Sequence, residues 1–214
     1  MRPVHVSCPT PLIDANGALA PSAVAVLSLI SGLPEQMLGR ARIRPASANW
    51  LRAPWYGYQR GGALTIGRTI WFTSRWWHDP GLGDRSQEST WRWLLHLAHE
   101  VGHLAQAGRC GHSLPGRAQY VMRFVLQYAW RALTFRRDVH DGAPWEIEAD
   151  IGRWVLAQLV AGATERAALL HILCTDTPAA TASWCRAHAQ QAIALRARYR
   201  ASVEGRSKLA PGSP

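Results

Sequence analysis

Residues 92 to 108 read RWLLHLAHEVGHLAQAG, with His96, His99, Glu100 and His103 set in an otherwise apolar stretch. His99, Glu100 and His103 spell His-Glu-x-x-His. On an α-helix, residues four apart share a face, so both imidazoles can meet one ion while Glu100 leans toward a water at that ion. Zinc in such a site takes a third protein ligand and keeps a position open for water, whose pKa falls toward neutrality. A glutamate can then remove the proton as the water attacks a carbonyl. In a random chain with nine His and seven Glu the pattern is expected about 0.01 times, which favours metal chemistry over a helix that is merely rich in histidine. His96 lies one turn before His99 and is read as a packing residue.

The third ligand must come from elsewhere. The extended metzincin spacing needs glycine at 106 and histidine at 109, where this chain has Gln106 and Arg109. PWEIEAD, residues 144 to 150, offers Glu146 and Asp150 four apart on one helical face. That spacing suits a ligating carboxylate followed by an acid that orients a ligand histidine. Glu146 is therefore the first candidate. Glu148, about 160° further round the helix, is expected to be solvated or paired with arginine; with His112 in the loop after the motif it remains an alternative. Tyr120, Tyr128 and His140 lie between the motif segments as candidate donors to a tetrahedral oxyanion, and spacing does not choose among them.

The elements that must position these groups are legible from hydrophobic pattern and breakers. The motif helix is expected from about Ser89 to Ala107, capped by the Ser/Thr/Glu-rich segment before it and closed at Gly108. AQYVMRFVLQYAWRALTF, from Ala118, reads as a second long helix, and PWEIEADIGRWVLAQLVAG as a third, opened by Pro144. Pro21 opens an earlier apolar helix, and two further helices follow from Thr164 and Pro178. A short strand is expected over 41–45, and two β-rich runs, 63–66 and 69–72, are separated by Gly67 and Arg68 as in a hairpin. The fold class is thus α+β, mainly helical, with a small early sheet. One domain is expected over 1–203 and a disordered tail over 204–214.

His-Glu-x-x-His with a later Glu-x-x-x-Asp resembles the gluzincin branch of the zincin metallopeptidases, matched here at His99, Glu100, His103, Glu146 and Asp150. ALTIGRTIWF followed by LLHLAHEVGHLAQ is similar to the bacterial DUF4157 metallopeptidase domains, with Ala63, Thr65, Gly67, Ile70, Phe72 and Gln106 in register. Two departures stand out: extra residues separate the Leu pair from the motif, and Gly102 occupies a position that is often larger. The resemblance spans roughly residues 60 to 155. It implies a zincin-like fold, Zn²⁺ as cofactor, a peptide or protein substrate, and an edge strand beside the active-site helix that holds an extended peptide by strand addition. Similar domains occur in bacterial toxins and in cargo of contractile injection systems.

The remaining composition bounds the function less tightly. The 24 Lys+Arg against 14 Asp+Glu give a formal charge of +10, which would attract nucleic acid, anionic membrane or acidic protein without choosing among them. Eleven tryptophans, several beside arginine, fit either the edge of a small core or a stacking surface, and the first is the commoner use. A non-catalytic basic module binding nucleic acid or protein is therefore the alternative function, with a DNA-associated protease using His112 as a related variant. Cys8, Cys110, Cys174 and Cys185 form no CxxC pair and are expected as buried thiols. No apolar leader precedes residue 21, and SAVAVLSLISG is too short to span a bilayer. The expectation is cytoplasmic synthesis, with any export through a non-Sec secretion or injection system.

Overall fold

The computed structural model describes residues 10–46, 62–77, 87–135 and 143–208. α1 (Pro21–Ser31) buries Ala23, Val26, Leu27 and Ile30, the spacing of one helical face, and stops where Gly32 takes φ of 77°. α2 (Glu35–Gly39) leads into β1 (Arg42–Pro45). β2 (Ala63–Ile66) and β3 (Thr69–Phe72) form the expected hairpin, with Gly67 at φ of 63° in its two-residue turn. β1 pairs parallel with β3, so among the described residues the sheet order is β1-β3-β2 and β2 lies at an edge. Alternation turns Ala63, Thr65, Ile70 and Phe72 inward.

Helices make up most of what remains. α3 (Ser74–Trp77) is a single turn, and α4 (Gln87–Cys110) is the central rod, burying Trp93, Leu94, Leu97, Ala98 and Val101. α4 meets β2, α1, α5 (Leu114–Phe135), α6 (Pro144–Ala149), α7 (Ile151–Leu159) and α8 (Ala163–Thr175). α9 (Pro178–Lys208) crosses α1 and α7 on the other side of the core. Among the described residues no helix is long and apolar enough to cross a membrane.

Four boundaries differ from expectation. α4 runs through Gly108, because glycine is tolerated inside a helix held by tertiary contacts; the left-handed residue that follows it is Gly111, at φ of 87°. α5 starts at Leu114, ahead of Ala118, since Pro115 in the first turn lacks only an N–H that would have no helical partner. The third expected helix is two, with the break at Asp150. α9 continues to Lys208, into the segment expected as tail, and 209–214 lie outside the described residues.

Two glycines set how closely α4 approaches the α6–α7 segment. A Cβ on Gly102 would lie 2.5 Å from both Cα and O of Ala149, and one on Gly152 would lie 2.5 Å from the Ala98 carbonyl oxygen. The departure at Gly102 thus has a steric cause. Backbone atoms cannot swing aside as a side chain can, so Gly102→Ala should force the helices apart and cost about 1–3 kcal/mol. A lowered thermal midpoint is the expected result.

Candidate metal centre

The close α4–α6 contact brings three donor atoms to one point. His99 Nε2 lies 3.2 Å from His103 Nε2 and 3.1 Å from Glu146 Oε2, and His103 Nε2 lies 3.5 Å from the same oxygen. In a tetrahedron, edges of this length put the centre about 2.0 Å from each vertex, which is the length of Zn–N and Zn–O bonds. Two imidazoles and one carboxylate, all inward-facing, could therefore hold a single tetrahedral ion with one corner left over. Glu100 is near as well: His99, Glu100 and His103 offer donor atoms within 4.8 Å of one another. The two carboxylates are held differently, however. Thr65 Oγ1 on β2 donates to Glu100 Oε2 at 2.8 Å, which ties Glu100 to the sheet side of the helix.

Each of the three converging groups has its outer atom fixed. His99 Nδ1 sits 2.9 Å from Asp150 Oδ1, so a proton on Nδ1 leaves the Nε2 lone pair facing inward. His103 Nδ1 sits 2.8 Å from Gln106 Oε1. The orientation of that amide is set by its other end, which donates to the Trp145 carbonyl at 2.7 Å and to Glu148 Oε2 at 3.2 Å. Glu148 in turn receives both guanidinium arms of Arg109, at 2.6 and 2.7 Å. The Tyr128 hydroxyl donates to Glu146 Oε1, the oxygen not turned to the histidines.

The electrostatics favour positive charge at the convergence point. Burial opposes a charge on His99, but Asp150 and Glu146 outweigh it and raise its pKa from an ordinary 6.5 to about 10. Burial likewise opposes the charge on Asp150, yet His99 and Arg153 hold its pKa below the usual aspartate value. Glu100 and Glu146 are only 5% and 4% exposed. Two imidazole lone pairs 3.2 Å apart beside buried carboxylates repel unless a positive charge sits among them. A proton meets that need in part, and a divalent ion meets it more fully.

The other residues singled out by sequence fall away from this point. Glu148 is the arginine-paired carboxylate, its pKa lowered by Arg109 and Gln106 against the effect of burial. His112 is exposed in the α4–α5 connection; slight burial, Arg68 and Arg117 lower its pKa. His96 stacks on Trp76 with ring centroids 4.1 Å apart and packs on Phe72. Tyr120 is buried and stacked on Trp145. His140 and Cys8 lie outside the described residues, while Cys110, Cys174 and Cys185 are half-buried free thiols rather than fully buried ones. Several tryptophan faces are used inside the molecule, with Arg92 over Trp76, Arg123 over Trp145 and Arg166 over Trp91.

Three positioning residues had no sequence signal of role. Gln106 and Thr65 stood out only as matches to a family pattern, and Tyr128 only as one of three unassigned donors. No family model, curated protein or solved structure matches this chain, so its geometry carries the functional argument.

Glu146→Ala should abolish stoichiometric zinc uptake measured by elemental analysis, whereas His112→Ala should retain it. Retention of zinc by Glu146→Ala would exclude this ligand set. Asp150→Ala and Gln106→Ala leave the donors in place but free the imidazoles to turn, and each should weaken zinc affinity by about 10–100-fold in a chelator competition.

Proposed function

We propose that this protein is a zinc-dependent metallopeptidase with a zincin-like arrangement, in which His99, His103 and Glu146 hold the ion and Glu100 is the general base. The observation that carries the reading is the triangle of two Nε2 atoms and one carboxylate oxygen with tetrahedral edges, set beside a second buried carboxylate tied to an edge strand. Zinc bound by such a set supplies Lewis acidity to a carbonyl and brings the pKa of water toward neutrality.

The chain's own groups account for the remaining chemistry. Glu100 accepts a proton from water as the water oxygen attacks the peptide carbonyl, then passes that proton to the amine nitrogen as the C–N bond breaks. Thr65 keeps the carboxylate from rotating away, because its hydroxyl holds Oε2. Asp150 and Gln106 hold the two imidazoles with Nε2 inward, and Tyr128 occupies the Glu146 oxygen that would otherwise compete for position. β2, as the edge strand in contact with α4, is suited to receive an extended peptide by main-chain pairing. A peptide or protein substrate fits that edge better than a small molecule does.

Glu100→Gln preserves size and leaves the three zinc donors unchanged, but it cannot accept the proton. It should keep stoichiometric zinc and lose hydrolysis of an unstructured protein substrate by at least about 10²–10⁴-fold. Full activity in that variant would refute the mechanism.

A further inference from the structure

The side of α5 turned away from the metal centre carries a feature the peptidase reading does not use. Of the eight exposed large hydrophobic side chains among the described residues, seven lie on this one helix. Val121, Met122, Val125, Leu126, Trp130 and Leu133 are its main members, with Trp130 68% and Leu133 82% exposed. At about 100° per residue, they cover an arc of about 180°, interrupted only by Gln119 near its N-terminal end. The opposite side of the same helix holds Tyr120, Phe124 and Tyr128, which pack toward Trp145, His103 and Glu146. An apolar patch of this size on one exposed helix marks a surface that something else covers.

Charge points to what covers it. Residues 114–135 contain Arg117, Arg123 and Arg131 and no Asp or Glu. Arg117 and Arg123 are exposed, and their backbone positions lie about 40° before Val121 and about 20° beyond Trp130; Arg117 also donates to the His112 carbonyl at 3.1 Å, and the Arg123 guanidinium lies over the Trp145 ring. Apolar residues in the middle, a tryptophan at the margin and arginines on both flanks match a helix lying in a membrane interface, with its side chains in the acyl boundary and its cations among headgroups. A second copy of the chain would bring the same arginines to the same border, where α5 has no carboxylate to receive them. The helix is not apolar enough to cross a bilayer, so it would lie on the surface.

We propose that α5 docks this protein on an anionic phospholipid surface, with Val121 to Leu133 inserted and Arg117 and Arg123 at headgroup level. The inference is independent of the metal site. Its test is co-flotation of the full chain with vesicles of phosphatidylglycerol and phosphatidylcholine, against vesicles of phosphatidylcholine alone. Anionic vesicles should bind the protein, and Leu126→Glu should lower the partition coefficient by at least about tenfold. Ala194→Glu, on an exposed position of α9, makes the same change in net charge and should shift it by less than about twofold. V125S combined with L133S should repeat the loss without adding charge, which covers the case in which Leu126→Glu fails to fold.

No binding to anionic vesicles would overturn the proposal. So would equal losses in Leu126→Glu and Ala194→Glu, which would reduce the effect to adsorption by the chain's overall charge. A dimer in light scattering that Leu126→Glu dissolves, with vesicle binding unchanged, would assign the face to a second copy instead.

Discussion

The close approach of α4 to the α6–α7 segment is the constraint on which the site depends. Gly102 against Ala149 and Gly152 against Ala98 let two backbones meet where any side chain would hold them apart. Because of this, Glu146 and Asp150 reach His99 and His103 on the neighbouring helix. A wider gap would leave two histidines on one helix and two acids on another, with nothing converging. Steric economy at two positions thus sets the geometry of every charged group in the centre.

Around that contact the polar groups are arranged so that each inward-facing atom has an outward-facing support. Asp150 supports His99, Gln106 supports His103 and Tyr128 supports Glu146. These supports come from α4, from α5 and from the one-residue junction between α6 and α7, so each donor is held from a different element. The cost is a concentration of buried negative charge, visible in the raised pKa of His99. A cation at the convergence point would offset this cost.

Much of the centre was legible in the sequence because helical periodicity is local information. His99 and His103 had to share a face once they lay on a helix, and Glu146 and Asp150 had to share another. The roles of Gln106, Thr65 and Tyr128 depend on which elements pack together, and spacing within one element cannot reveal that. The mainly helical α+β architecture and the hairpin at Gly67 also followed from pattern. Helix ends were less readable. Gly108 is a helix-ending residue by type, yet tertiary packing carried α4 past it to the left-handed Gly111. The α5 pattern was recognisably apolar, but the sequence did not say that half its circumference would stay exposed.

The donors are divided between residues 99–103 on α4 and Glu146 on α6, a short helix of six residues. An ion held by this set would act as a clasp between two parts of the chain that are distant in sequence. Anything bound only by the folded form raises the unfolding free energy with the logarithm of its free concentration. The persistence of the folded chain would then follow the metal supply of its surroundings, and scarcity of the ion would loosen α6 from α4 as well as silence the chemistry.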